Sequence, residues 1–83
     1  NVMKKEVIIP RLGSSDESDE VKILRWLRHP GVQVKKGEGL LEVETDKATV
    51  EVTSPVAGTL VETFFKTDDA IKTGQVIAIC ESA

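Results

Sequence analysis

The sequence predicts an all-β chain built from two similar halves, and three observations carry that prediction. Short β-branched and aliphatic runs are punctuated by Gly and Pro turns, and no segment of useful length repeats at a helical period. Residues 41–52 alternate as a hairpin with one aliphatic face and one polar face. A set of hydrophobic and turn residues in the first half recurs at a fixed offset in the second.

The elements follow in order. Glu6-Val7-Ile8-Ile9-Pro10 reads as a strand at or near a sheet edge, because Pro cannot donate to a ladder. Ser14 to Glu20 is a polar, acidic loop with no face to bury. Val21 to Leu27 is apolar and includes Trp26; its residues do not alternate cleanly, so a helical turn and a strand both remain open. Pro30-Gly31 marks a turn, Val32 and Val34 alternate with Gln33 and Lys35, and Lys36-Gly37-Glu38-Gly39 turns again. Leu60 to Phe65 and Val76 to Cys80 read as strands, with turns at Pro55–Gly58, Thr67-Asp68-Asp69 and Thr73-Gly74.

The hairpin fixes its own register. Pairing across a two-residue loop at Asp46-Lys47 sets Val43 opposite Val50 and Leu41 opposite Val52 on one side. Glu44 then faces Thr49, and Glu42 faces Glu51, on the other. A slip of one residue would exchange the two faces, so the pattern pins Lys47 at the tip. Glu42 against Glu51 is mildly repulsive. Tight hairpin loops favour Asn-Gly or Asp-Gly because their backbone needs positive φ. Lys in the Gly position therefore predicts a strained tip and a residue kept for its amine.

Val34-Lys35-Lys36-Gly37 recurs as Ile71-Lys72-Thr73-Gly74, an offset of 37 that also pairs Ile23 with Leu60, Leu40 with Ile77 and Val43 with Cys80. Upstream, Val7 to Pro10 and Gly13 match Val52 to Pro55 and Gly58 at an offset of 45. The difference is an insertion of 8 residues, roughly Ser14 to Val21, on the acidic loop. Neither half can bury a core alone, so the two should pack as facing sheets about an approximate two-fold axis. That axis makes the hairpin tip and the paired chain ends counterparts, with Lys47 expected at one pole and both termini at the other.

Composition narrows the function classes. At 83 residues there is room for one domain, 1–83, expected to be cut from a longer chain. A net charge of −3 gives no basic footprint for nucleic acid. No apolar run is long enough to span a membrane as a helix. Cys80 is the single cysteine, maps onto the inward Val43, and reads as a buried thiol in a reducing compartment. His29 lacks ligand-spaced partners, and no nucleophile–base or phosphate-loop motif occurs, so catalysis by this chain alone is not expected. Trp26 is assigned to the core.

Glu44-Thr45-Asp46-Lys47-Ala48 resembles the lipoyl-attachment motif of lipoyl domains in 2-oxo acid dehydrogenase complexes, and the resemblance runs from about Val7 to Glu81. It implies a flattened barrel of two four-stranded sheets related by a quasi-two-fold, with lipoate in amide linkage on Lys47. Lysine amines are mostly protonated at neutral pH, so attachment needs an activated lipoyl donor and a lipoate ligase or lipoyl transferase that docks on the turn. Glu44, Asp46 and Ala48 are implied as recognition residues around the lysine. The acidic loop, at Asp16 and Glu17, is a second candidate recognition surface, because loops carry specificity.

The implied partners are a thiamin-dependent 2-oxo acid decarboxylase, an acyltransferase core and dihydrolipoamide dehydrogenase, between which the arm shuttles acyl groups and reducing equivalents. The resemblance implies that the domain itself is non-catalytic. Its parent is expected to be a dihydrolipoamide acyltransferase, as in a pyruvate dehydrogenase complex, in the bacterial cytoplasm or the mitochondrial matrix. Two departures from the family pattern stand out: the symmetric turns read Pro30-Gly31-Val32-Gln33 and Thr67-Asp68-Asp69-Ala70, where Gly-Asp is usual, and the first loop lacks the usual Glu-Ser form. The alternatives are a biotinyl carrier, which usually flanks its lysine with Met, and an unmodified β-sandwich adaptor.

Overall fold

Eight strands and two antiparallel sheets account for the residues that the computed structural model describes, which are 3–10 and 20–82. The strands are β1 (Met3–Ile8), β2 (Glu20–Trp26), β3 (Gln33–Val34), β4 (Gly39–Glu44), β5 (Thr49–Thr53), β6 (Gly58–Thr63), β7 (Ala70–Lys72) and β8 (Val76–Ser82). One sheet has the order β1-β8-β6-β3 and the other β5-β4-β2-β7. The molecule is elongated, 40 × 19 × 19 Å.

The repeat read from the sequence is the symmetry of the fold. An offset of 37 carries β2 onto β6, β3 onto β7 and β4 onto β8, and an offset of 45 carries β1 onto β5. Each sheet is thereby mapped onto the other. The irregularities repeat too. The bulge between Ile23 and Arg25 matches that between Leu60 and Glu62, and the register shift at Gly39/Leu41 matches that at Val7/Ile8. Gly37 N–H donates to Ser54 O, and Gly74 N–H donates to Ile9 O, at 2.9 Å in both cases.

The core lies between the sheets and is assembled from counterpart pairs. Val7 and Val52, Ile23 and Leu60, Val34 and Ile71, Leu40 and Ile77, Leu41 and Ala78, and Val43 and Cys80 are all buried. Each large aliphatic side chain so placed is worth roughly 1.5–3 kcal/mol of transfer free energy. Ser54 stands where Ile9 stands in the other half; its buried hydroxyl donates to Val56 O at 2.6 Å and lies 3.7 Å from Cys80 Sγ. Trp26 packs against this core and donates its indole N–H to Phe65 O at 3.0 Å.

Three differences from the sequence reading have physical causes. Val21 to Leu27 is a strand whose alternation breaks because Leu24 is the extra residue of a bulge: Ile23 opposes Val43, and Arg25 opposes Glu42. β7 is three residues between two turns, too short to show a period, yet it completes its sheet against β2. β1 begins at Met3 and ends before Ile9, although Ile9 is still fully buried. β1 is an edge strand, as the Pro at its end requires.

Candidate functional site

β4 and β5 place the candidate lysine. Their register pairs Leu41 with Val52, Glu42 with Glu51, Val43 with Val50 and Glu44 with Thr49. Leu41 and Val43 are fully buried while Glu44 is exposed, so the aliphatic face anchors the hairpin and carries the loop outward. Asp46, Lys47 and Ala48 are all exposed. Among the described residues no acidic side chain pairs with the Lys47 ammonium.

The tip is not strained. Neither Asp46 nor Lys47 has a positive φ; the only non-Gly residue that does, among those described, is Asp68 at 75°. The expectation of a forced lysine backbone is therefore corrected, and the reason is Thr45. Its N–H donates to Ala48 O at 2.8 Å, and its hydroxyl donates to the same oxygen at 3.0 Å. That hydroxyl also accepts the Lys47 N–H at 3.1 Å and the Ala48 N–H at 3.0 Å. In a primed two-residue turn the second amide would reach the main-chain carbonyl of residue 45. Here a side-chain oxygen takes its place, so the loop closes with ordinary backbone angles.

The polar face below the tip alternates in sign. Lys22 lies opposite Glu44, and Arg25 opposite Glu42, across β2 and β4. Arg25 Nε donates to Glu42 Oε1 at 2.9 Å, which offsets the repulsion between Glu42 and Glu51 that the register imposes. The pair is largely exposed at Arg25 and contributes a fraction of a kcal/mol, about 0.2–1.

The structure thus brings Glu44, Asp46, Lys47 and Ala48 together on one turn. Asp16 and Glu17 lie outside the described residues. Thr45 is the residue of the candidate site that sequence reasoning passed over. A Thr two positions before a loop residue is a recognised backbone-capping signal, but hydropathy patterns do not register it. Cys80 is buried, as its equivalence to Val43 implies. Among the described residues no group of three or more His, Cys, Asp or Glu is placed to hold a metal ion.

Comparison with known proteins agrees with this geometry. The biotin/lipoyl family, described as biotin-requiring enzyme, matches residues 5–80. The acetyltransferase component of the pyruvate dehydrogenase complex of Corynebacterium glutamicum is 47% identical over 73 residues, covering 88% of this chain and 10% of that protein. The succinyltransferase component of the 2-oxoglutarate dehydrogenase complex of Staphylococcus saprophyticus is 43% identical over 74 residues, covering 89% of this chain and 17% of that protein. The chain therefore spans between a tenth and a fifth of the length of these relatives. In fold it is similar to the solution structure of the lipoyl domain of the 2-oxoglutarate dehydrogenase complex from Azotobacter vinelandii, with a TM-score of 0.72 at 23% identity over 93% of this chain and 99% of that one. With a family match over nearly all of its length and the fold to accompany it, this chain belongs to the biotinyl/lipoyl-attachment family.

Proposed function

We propose that this chain is a lipoyl carrier domain of a 2-oxo acid dehydrogenase complex, with Lys47 as the attachment residue. The observation that carries the reading is an exposed lysine, with no ion-pair partner among the described residues, at the apex of a hairpin anchored by a buried aliphatic face. The turn fits the group: the Lys47 amine can be reached without breaking any contact. Asp46 and Ala48 flank it, where the biotin-bearing relatives usually have Met.

In attachment, the Lys47 ammonium first gives up one proton; the free Nζ then forms an amide bond to the carboxyl carbon of an activated lipoyl donor, the activating group leaves, and a second proton is released. The lysine charge disappears on attachment. When bound, the dithiolane of lipoate supplies redox and acyl-carrying chemistry. The chain's own contribution is presentation. The Val43–Val50 and Leu41–Val52 pairs fix the root of the arm, and Glu44 and Asp46 give a ligase or a decarboxylase acidic groups beside it. Tethering then raises the arm's effective concentration at each active site it reaches.

By the same reading the parent chain is a dihydrolipoamide acyltransferase. It works with a thiamin-dependent decarboxylase and dihydrolipoamide dehydrogenase in a bacterial cytoplasm or mitochondrial matrix, and lipoate ligase or lipoyl transferase is the modifying partner. Intact mass after incubation with lipoate, ATP and lipoate ligase tests the reading. Wild type gains one lipoyl group, and Lys47→Arg gains none while keeping the wild-type melting temperature. A biotin gain with biotin ligase instead would assign the chain to the biotinyl branch. No gain with either would leave an unmodified adaptor.

A further inference from the structure

Beside the main-chain bond from Thr45 N–H to Ala48 O, the Lys47 turn is closed by one side-chain oxygen, the acceptor of both the Lys47 and the Ala48 amides. Thr45 Oγ1 holds both the Lys47 and the Ala48 amides and returns its own proton to Ala48 O. These bonds lie at an exposed site, at the outer end of the hairpin beyond the buried Val43. The hydroxyl is therefore poorly placed to hold the core together and well placed to hold the loop.

We infer that Thr45 is a positioning residue for modification of Lys47: its hydroxyl keeps the loop in the one shape that a ligase accepts. This rests on the carrier reading above. With the hydroxyl present, the free protein already displays the competent turn. Without it, the Lys47 and Ala48 amides have only water, and the turn samples other shapes. A ligase that accepts one shape then sees a reduced competent fraction. Apparent affinity falls by that fraction, while turnover at saturation is unchanged.

The side chain's geometry also sets which substitutions can work. The role requires an oxygen on the Cβ of residue 45, so Ser can replace Thr. Val has the same shape with no acceptor and cannot. Glu44 and Asp46 are no substitutes, since neither is bonded to these amides.

The test uses the 83-residue chain as acceptor for lipoate ligase with lipoate and ATP, comparing wild type, Thr45→Val and Thr45→Ser. Thr45→Val is expected to lower kcat/KM for the acceptor about tenfold, almost wholly through KM, with a melting temperature close to wild type. Thr45→Ser is expected to fall within about twofold of wild type. Wild-type kcat/KM in Thr45→Val, or a loss expressed only in kcat, would overturn the inference. Hydrogen exchange on the wild type supplies a reading that needs no variant to fold. The Lys47 and Ala48 amides are expected to exchange more slowly than that of Asp46, and equal rates would also overturn it. Failure of the wild type itself to take lipoate would instead sink the carrier reading, so the two failures are distinguishable.

Discussion

Two ends of this molecule are built alike and finished differently. Under the internal two-fold, the pair Thr45 and Ala48 at the hairpin tip corresponds to Ser82 and Met3, where β8 meets β1. Both pairs close an antiparallel ladder with the same register shift farther in, over the same buried positions, Val43 in one and Cys80 in the other. Even the terminal hydroxyl is matched. Thr45 Oγ1 donates to Ala48 O at 3.0 Å, and Ser82 Oγ donates to Met3 O at 3.3 Å. The difference is that at one end two residues, Asp46 and Lys47, join the strands, and the Lys47 and Ala48 amides turn the hydroxyl into an acceptor as well. The β framework therefore makes two equivalent ends, and a four-residue turn makes one of them the candidate site.

That comparison can be broken most sharply at the position where the halves differ most in bulk. Strand pairing makes Gly58 in β6 the counterpart of Val21 in β2, in place of the sequence match to Gly13, which lies outside the described residues: Val21 opposes Ile71 as Gly58 opposes Val34. A Cβ built at Gly58 would run into the Glu81 carbonyl oxygen, whereas Val21 already carries a buried side chain. Gly58→Ala is expected to lose about 3 kcal/mol of unfolding free energy by forcing β6 from β8. Val21→Ala, the opposite change at the equivalent position, should lose about 2 kcal/mol through lost burial and a cavity. Urea denaturation measures both. A Gly58→Ala midpoint equal to wild type would mean that the two sheets do not differ here.

A smaller effect separates the two symmetric turns. Gly31 has φ 97°, and its counterpart Asp68 has φ 75°. Asp68 N–H bonds Ile23 O, and Gly31 N–H bonds Leu60 O, so the turns are held in the same way. Gly31→Ala places a Cβ in the left-handed region and should lose about 1 kcal/mol. Asp68→Gly relieves that strain but loosens the unfolded chain, so a net gain of only about 0.5 kcal/mol is expected. Thermal melts of the two variants side by side check the signs, and a gain on Gly31→Ala would contradict the equivalence. The departure of the second turn from Gly-Asp is thus accommodated by an Asp in a conformation that few other side chains tolerate.

What the sequence disclosed follows the same division between framework and turn. The hairpin register was legible from Leu41 to Val52, though not its shift at Gly39, because Leu41, Val43, Val50 and Val52 alternate without interruption and a slip would bury Glu42 or Glu44. The two-fold was legible because both halves keep the same aliphatic positions for the same packing reason. β2 was ambiguous because the Leu24 bulge inserts a residue into the alternation. The tip's backbone was misread because the reading weighed Asp46 and Lys47 alone, while the conformation is set by the hydroxyl of Thr45 next to them. Sequence patterns report which face is buried; they do not report where an oxygen will end up.

The smallest effect lies in a pair of turn residues that do the same job with different chemistry. Glu38 Oε1 accepts the Lys35 N–H at 2.8 Å, and at the equivalent position Gln75 Oε1 accepts the Lys72 N–H at 2.7 Å. Only the first can titrate. The Lys35 backbone bond, and then the hydrogen bond from Arg28, hold the Glu38 carboxyl below its ordinary range. A carboxyl depressed in the folded state stabilises above its unfolded value, near about 4.3 for Glu, and that contribution disappears as pH falls through the folded value. Glu38→Gln keeps the amide bond in the manner of Gln75 but removes the charge facing Arg28. Wild type should therefore melt slightly higher than Glu38→Gln at about pH 6, and the gap should close as pH falls below the unfolded value and through the lower folded one. Melting curves across that range decide it. A gap of constant size would mean that the carboxyl acts here only as a neutral acceptor, and that the two turns are as alike in chemistry as they are in shape.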